Sequence, residues 1–529
     1  MSGPRGAASV AAGLAPVREA RPIREGERIH VVGAGGAGAS AAALLAHDAG
    51  AVVTGCDPGG PSQYTPAIEA AGIHLDWSHS PEHVLGSARP DRLAVTKALT
   101  AIDPDNAELV AARELGVPCE PWQQVIADAA CGRILVGIAG THGKSTCSGW
   151  LVHVLVRAGL DPSAFVGALL PPAITGGLAS TARTGAGMPF VVEADEYAGN
   201  FDAYRPDVAV LTSAEWDHPD VFADGEAVVE TFARWLRRSG STGKVPLLVA
   251  NVADPGVAAV VGGLRDWRGV VCAVALVDDT KPLLDEARIS ELAARFATAG
   301  GPAVPLLGTI ADAGPQGTVL EVAGAGTEGR VLTAHLRLAG RHNAANALCV
   351  AGAAIALGIS GDGLVAGLAG FAGVGRRLER KGEARGVVVY DDYGHHPTAI
   401  RETLAAIRQL EPGRRVWAVY EPLTYHRTAA MLNEFADVLA TADAVAVAEI
   451  WASRDPDTTI TSATALAEAT ALRRPGLTSV APGTVDETAA WLALQVGPGD
   501  AVLVMGGGKS YQIADLLLEA LKRPAGARH

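Results

Sequence analysis

The sequence predicts an α/β protein with parallel sheets, divided into several domains. Short β-branched runs alternate with longer Ala- and Leu-rich stretches of helical spacing from Ile29 to the C-terminus, the pattern of strands joined by crossover helices. Three of the runs, at 29–32, 134–138 and 387–390, lead into glycine-rich or strongly polar turns, which suggests three domains. The length of 529 residues also exceeds that at which a single hydrophobic core stops growing.

Composition narrows the function classes. Hydrophobic residues at 49% and charged residues at 19% describe a packed chain and exclude wholesale disorder. A net charge of −14 opposes extended contact with a phosphate backbone, so no nucleic-acid partner is expected, although a small anion can still bind through local donors. No window approaches the roughly eighteen uninterrupted apolar residues of a membrane span, so no membrane association and a cytoplasmic location are expected. Cys56, Cys119, Cys131, Cys147, Cys272 and Cys349 lie far apart, without a CxxC pair or a His at metal-finger spacing, and predict buried free thiols.

Residues 1–27 are rich in Ala, Gly, Pro and Arg without sustained apolar periodicity, and are expected to form a poorly ordered leader without chemistry. The first domain is expected over 28–132. Its opening strand runs into Gly33-Ala34-Gly35-Gly36-Ala37-Gly38 and a helix, and Cys56-Asp57 closes the next strand. Glycines at such a turn let the backbone approach a pyrophosphate at a helix N-terminus, and Asp57 sits where a ribose-binding acid would. Gly33, Gly35, Gly36, Gly38 and Asp57 are therefore candidates for a nucleotide. Close packing of a first strand–helix turn and an NAD-dependent enzyme remain open alternatives at this point.

The second domain is expected over 133–374. The apolar run at 134–138 leads into Gly140-Thr141-His142-Gly143-Lys144-Ser145-Thr146, then a helix with Trp150, Leu151, Val154 and Leu155 at helical spacing. Backbone N–H groups of such a loop cradle phosphates, Lys144 reaches the β- and γ-phosphates, and the Ser145 hydroxyl completes a Mg²⁺ shell. The usual first glycine falls on Ile138, so the loop is a compact variant. Two later strand patterns end in Glu193-Ala194-Asp195-Glu196 and Glu215-Trp216-Asp217-His218. In a parallel sheet both ends lie on the ligand side, which makes Glu193 a candidate Mg²⁺ ligand; solvated strand-end acids are the alternative. Gly340-Arg341-His342-Asn343-Ala344-Ala345-Asn346 opens an Ala-rich helix, whose first-turn amides can read an adenine edge or, at Asn343, merely cap the helix.

The third domain is expected over 375–529. It begins with Arg376-Arg377-Leu378-Glu379, then a strand, then Asp391-Asp392-Tyr393-Gly394-His395-His396-Pro397-Thr398 opening a helix. Two acids, a Tyr and two His at one strand-to-helix turn are too polar for a core and predict a functional site.

Occurring together in this order, these motifs resemble the Mur ligase family from Ile29 to about Leu521, and its alanine-adding branch in particular. The resemblance implies a Rossmann-like N-terminal domain for a UDP-sugar, a central P-loop ATPase domain and a Rossmann-like C-terminal domain for the incoming amino acid. It favours UDP over NAD at the first glycine turn. It further implies ATP and Mg²⁺, with UDP-N-acetylmuramate and L-alanine joined through an acyl phosphate in peptidoglycan precursor synthesis. Lys144 and Ser145 would hold the phosphates and a first Mg²⁺ with Glu193, while His218 would serve a second Mg²⁺. His342, Asn343 and Asn346 would receive adenine, Arg377 and Asp392 would close over the nucleotide, and Tyr393, His395 and Arg427 would face the acyl and amino-acid end. A monomer or weak homodimer is expected.

Three departures stand out. No Lys occurs between His218 and Lys244, where several members of the family place a carbamylated lysine. Glu421-Pro422-Leu423-Thr424-Tyr425-His426-Arg427 stands where the alanine-adding branch has a pattern like QPHRYTR, leaving Thr424 at an arginine position and only Arg427 retained. Met505-Gly506-Gly507-Gly508-Lys509 replaces a GAGD-like segment and puts Lys509 where an acid is usual. Both later changes bear on the amine accepted, and the stretch at 376–400 also resembles recycling ligases that attach a whole peptide to the same sugar.

Overall fold

The computed structural model describes residues 11–240, 243, 245–278, 281–452, 455 and 457–523. It contains three sheets with helices in the connections. The first has the order β3-β2-β1-β4-β5 and is built from β1 (Arg28–Val32), β2 (Val52–Cys56), β3 (His74–Asp76), β4 (Arg92–Val95) and β5 (Cys119–Pro121). All four of its pairings are parallel. The chain leaves β1 to one side for β2 and returns on the other side to β4, so the C-terminal end of β1 is a topological switch point, where open α/β sheets bind ligands.

The second sheet has the order β15-β14-β13-β12-β11-β10-β6-β9-β7-β8. Its centre is β6 (Ile134–Ala139), flanked by β9 (Pro189–Glu193) and β10 (Val208–Leu211) in parallel register, with Ile138 beside Glu193 and Ala139 beside Leu211. Beyond β9 lie β7 (Ser163–Leu170) and antiparallel β8 (Ser180–Arg183); beyond β10 lie β11 (Leu247–Asn251) and β12 (Val270–Leu276). The stretch at 252–330, in which no sequence motif emerges, supplies β12, β13 (Val304–Gly314) and β14 (Gly317–Gly324) to this sheet, and β15 (Leu332–Leu336) closes its edge. The third sheet, β16-β17-β21-β18-β19-β20, is parallel except at its first strand. It comprises β16 (Glu379–Ala384), β17 (Val387–Asp392), β18 (Arg415–Glu421), β19 (Ala444–Ala448), β20 (Thr478–Gly483) and β21 (Asp500–Gly506). The α/β class with parallel sheets in three domains is thus realised. Central strands such as β17 and β21 are buried at every residue, as strands covered by helices on both faces must be.

Two compact units result, one of Met1–Thr309, Leu320–Ala334 and Ala345–Val374, the other of Ile310–Val319, His335–Ala344 and Gly375–His529. Within the first unit, the first sheet's helix Ala37–Asp48 packs on β8, where Ser40 Oγ meets Thr181 Oγ1 at 3.0 Å. Lys97 Nζ donates to the Ala198 carbonyl at 2.8 Å.

Residues 1–10 of the expected poorly ordered leader lie outside the described residues, but its described part, 11–27, is packed within the first unit. Ala15 N–H donates to the Cys119 carbonyl, and Val17 and Ile23 pack on the core. The Arg18 guanidinium bridges Glu120 and Asp128, each at 2.7 Å, and Arg21 pairs with Glu27 at 2.6 Å. The same carboxylates face Arg92, a residue only 2% exposed. Composition is blind to this arrangement because Glu120 and Asp128, which hold Arg18, lie 102 and 110 residues away.

Of the six cysteines, all free, five are buried and Cys131 is half-buried. Among the described residues no helix is long and apolar enough to cross a membrane.

Candidate active site

The phosphate loop is shaped by what its glycines permit. Gly140 has φ +135°, and a Cβ there would lie 2.2 Å from Thr212 Oγ1 and 2.9 Å from Ser213 N, so only glycine fits between β6 and the segment after β10. Gly143, at φ +83°, precedes the helix Lys144–Arg157 and faces Asn346 Oδ1. The loop is tied down by its neighbours. Thr141 Oγ1 donates to the Glu215 carbonyl at 2.8 Å, His142 N–H donates to Ser213 Oγ at 2.8 Å, and the His142 ring meets Glu215 Oε2 at 2.9 Å. Thr212 Oγ1 donates to the His142 carbonyl at 2.5 Å.

Around this loop converge the acidic ends of β9 and of the segment after β10. Lys144 Nζ lies 2.9 Å from Glu196 Oε2 and also donates to the carbonyls of Gly140 and Thr141. Burial pushes the Glu196 carboxyl up to about 7, against the attraction of Lys144 and with the repulsion of Asp195. Ser145 Oγ donates to Glu193 Oε1 at 3.0 Å, and Gly167 N–H holds the other oxygen at 2.7 Å. A Cβ on Gly167 would come within 2.9 Å of that carboxylate, so the glycine makes the cradle in which Glu193 sits.

An octahedral Mg²⁺ with ligands near 2.1 Å places adjacent oxygens about 3 Å apart. The Ser145 and Glu193 pair has that spacing and the oxygen chemistry the ion requires. His218 lies elsewhere on the same rim, with its ring 4.8 Å from that of Tyr197. His218, Asp195 and Glu196 each bring one donor atom into a cluster spanning 4.8 Å. Asp195 is steadied by Asn200 Nδ2 at 2.7 Å.

At the first glycine turn, Asp57 Oδ2 accepts from Gly35 N–H and Oδ1 from Gly59 N–H, both at 2.9 Å. Asp57 therefore braces the turn as well as ending β2. Gly33 has φ +85°, Gly36 is the cap residue of the helix Ala37–Asp48, and Gly38 lies against the Trp122 ring, 2.2 Å from where its Cβ would be. His342, Asn343 and Asn346 share the first two turns of the helix Arg341–Ala356. Asn343 Nδ2 donates to the Ala339 carbonyl at 2.7 Å, and the His342 ring lies 3.6 Å from Glu402.

In the second unit, the turn after β17 is organised by its two acids. Asp392 accepts from Leu378 N–H and Gly394 N–H, each at 2.7 Å. Asp391 pairs with Arg376 at 3.1 Å, and burial lifts its carboxyl to about 6 despite that partner. The Arg377 guanidinium lies over the Tyr393 ring at 5.0 Å, and the His395 ring meets Tyr393 edge-on at 5.1 Å. Arg427 is buried in the short helix Tyr425–Ala430, and its N–H donates to Thr424 Oγ1. Thr424 itself has φ +62°, an uncommon and costly conformation for a β-branched residue. Lys509 is exposed at the N-terminus of the helix Ser510–Lys522.

Linear reading missed several members of these constellations. Arg376, in a basic cluster without an assigned role, holds Asp391, the Gly506 carbonyl and Ser510 Oγ, the last two at 2.8 Å. Glu196 and Glu215 stand among acids of equal apparent worth, and only the fold selects Glu196 for Lys144 and Glu215 for His142.

A strand, glycine loop and helix at the centre of a parallel sheet, flanked on both sides by acidic strand ends, define the class: an α/β nucleotide-dependent enzyme. Comparison with known proteins makes it specific. The chain matches the Mur ligase family catalytic domain over residues 28–133, the Mur ligase middle domain over 138–354 and the Mur ligase glutamate ligase domain over 376–508. It is 35% identical over 505 residues to a UDP-N-acetylmuramate–L-alanine ligase of Gloeobacter violaceus, covering 95% of this chain and 98% of that protein. It is 37% identical to the Kineococcus radiotolerans protein of the same name, covering 93% and 96%. The Thermotoga maritima UDP-N-acetylmuramate–alanine ligase structure superposes with a TM-score of 0.71 at 22% identity, over 93% of this chain and 98% of that one. A murein peptide ligase of Psychrobacter arcticus gives 0.67 at 23% identity, over 95% and 100%. At these identities the structures establish a shared fold. The chain belongs to the Mur ligase family, and is an ATP-dependent ligase.

Proposed function

We propose that this enzyme joins L-alanine to the carboxylate of UDP-N-acetylmuramate in peptidoglycan precursor synthesis, working in the cytoplasm as a monomer or weak homodimer. The observation that carries this reading is the relatedness along nearly the whole chain to proteins named for that reaction, at 34 to 37% identity. Domain boundaries at 28–132, 133–374 and 375–529 go with it.

A carboxylate and an amine do not condense in neutral water, so the carboxylate must first become electrophilic. One carboxylate oxygen attacks the γ-phosphorus of ATP in line, ADP leaves, and an acyl phosphate forms. The neutral amine then attacks the acyl carbon, phosphate departs, and the amine proton passes to solvent or a nearby base. Lys144 and the N–H groups of the loop 140–146 position the phosphates and offset the charge that develops on the transferred group. Ser145 and Glu193 would hold a Mg²⁺, and His218 a second; bound there, the ion neutralises phosphate charge. His342, Asn343 and Asn346 are assigned to adenine, Arg377 and Asp392 to the nucleotide, and Tyr393, His395 and Arg427 to the acyl and amino-acid end. Gly33, Gly35, Gly36, Gly38 and Asp57 are assigned to the UDP-sugar, and the switch-point location of their turn supports this.

A second reading, a recycling ligase that attaches a preformed peptide to the same sugar, is supported by the likeness of the stretch at 376–400 to such ligases; Thr424 and Lys509, where the alanine-adding branch has an arginine and an acid, bear on which amine is accepted and point equally to a related ligase with a different amine acceptor. Phosphate release with UDP-N-acetylmuramate across a panel of amino acids and peptides separates the two. Stimulation by L-alanine alone supports the first, and stimulation only by a tripeptide replaces it with the second.

A further inference from the structure

A second polar cluster lies at the first sheet, built around Glu108, and none of its residues is among those assigned to the ligation chemistry. His30 and Thr54 are register partners on β1 and β2, and Cys56, two residues along β2 from Thr54, shares their face of the sheet. His79 and His83 come from the segment after β3, and Glu108 from the first turn of the helix Ala107–Glu114. The Cys56 Sγ lies 3.3 Å from each Glu108 oxygen and 3.4 Å from His79 Nδ1. His83 Nδ1 meets Glu108 Oε1 at 2.9 Å. His30 Nε2 lies 3.6 Å from Glu108 Oε2, too far for a hydrogen bond, and has no hydrogen-bond partner although the residue is only 2% exposed.

We propose that His30, Cys56, His83 and Glu108 form a binding site for a divalent transition-metal cation of the zinc class. The donor set is imidazole, thiolate and carboxylate, which such an ion takes in tetrahedral geometry. Bonds of 2.0 to 2.3 Å put tetrahedral donors about 3.3 to 3.7 Å apart. The Cys56–Glu108 and His30–Glu108 separations fall in that range. A central ion also gives the buried His30 Nε2 the partner it lacks.

The outer nitrogens are already oriented as metal-bound histidines require. His30 Nδ1 is fixed by Thr54 Oγ1 at 2.8 Å, and His83 Nε2 faces the Asp76 carboxylate at 3.3 Å. Thiolate and carboxylate together neutralise the ion, and coordination releases the Cys56 proton to solvent. The side chains of His79 and His83, 18% and 14% exposed, mark the way in, and His79 is positioned to exchange with solvent as a further ligand. Cys56 directly precedes Asp57, which braces the first glycine turn, so a bound ion would stiffen the sheet beneath that turn.

The test uses the full chain, freed of metal with EDTA and reloaded with Co²⁺ or Zn²⁺ in excess Mg²⁺, which occupies oxygen sites. One tightly held ion per chain is expected, with the near-ultraviolet thiolate-to-cobalt absorption in the wild type. Cys56→Ser should abolish that band, and His30→Gln should weaken Zn²⁺ binding at least tenfold. A wild-type cobalt spectrum without the thiolate band overturns the proposal, whatever the variants do. So does Cys56→Ser binding Zn²⁺ with unchanged stoichiometry and affinity.

Discussion

Lys144 Nζ lies 2.9 Å from Glu196 Oε2, so the cation expected to meet ATP is held, before any nucleotide arrives, by a carboxylate three residues beyond β9. The Lys144 side chain is only 14% exposed and that of Glu196 2%, which makes the pair a stored position for the ammonium. An arriving phosphate exchanges one anionic partner for another. Lys144→Ala should therefore lower sugar-dependent phosphate release at least about a hundredfold, the scale of losing one preorganised charge stabiliser. A stopped assay of ADP formation checks this, and turnover near the wild-type rate would remove Lys144 from the mechanism.

Gly140 sits where a side chain has no room. Gly140→Ala combines a left-handed backbone with a Cβ 2.2 Å from Thr212 Oγ1, together costing roughly 2–4 kcal/mol of loop integrity. Calorimetric ATP affinity should fall at least tenfold. Gly177→Ala, with nothing within 4 Å of the new Cβ, should leave affinity and stability unchanged and serves as the control.

Asp391 makes the second unit sensitive to pH. Its folded-state carboxyl, lifted by burial to about 6 from an ordinary 3.8, binds a proton more tightly than in the unfolded chain. Its contribution to stability is fully present below about 3.8 and is lost as the pH rises through about 6. Asp391→Asn should thus flatten the fall in thermal midpoint between those limits, measured by differential scanning calorimetry. An identical slope in the variant would show that Asp391 titrates normally.

Arg18 anchors the N-terminal segment. Arg18→Ala leaves the fully buried Asp128 carboxylate with Arg92 as its remaining guanidinium partner and should destabilise the first unit by about 1–3 kcal/mol in urea denaturation. Deleting residues 1–20 should reproduce that loss, whereas an unchanged urea midpoint in both would return the segment to the status of a passive leader.

Much of the site was legible because its motifs are local. A phosphate loop needs glycines, a lysine and a hydroxyl within seven consecutive residues, since one strand-to-helix turn presents them all, and residues 140–146 carry that arrangement in plain view. The strand ends at Glu193 and the turn after Tyr390 were legible for the same reason. Arg376 was not, because the Gly506 carbonyl and Ser510 that hold it are more than 120 residues away in sequence.

The sequence by itself determined the α/β class, the order of the three domains and the family, because alternating periodicity and contiguous motifs are properties of the chain read in one dimension. Tertiary structure decided which acid holds Lys144, that Arg18 is a packed residue, and that His30, Cys56, His83 and Glu108 meet. Parallel strands bring together residues separated by whole crossover connections. The partners of a buried charge are therefore chosen by strand order and register, which no local pattern around Cys56 or Glu196 records.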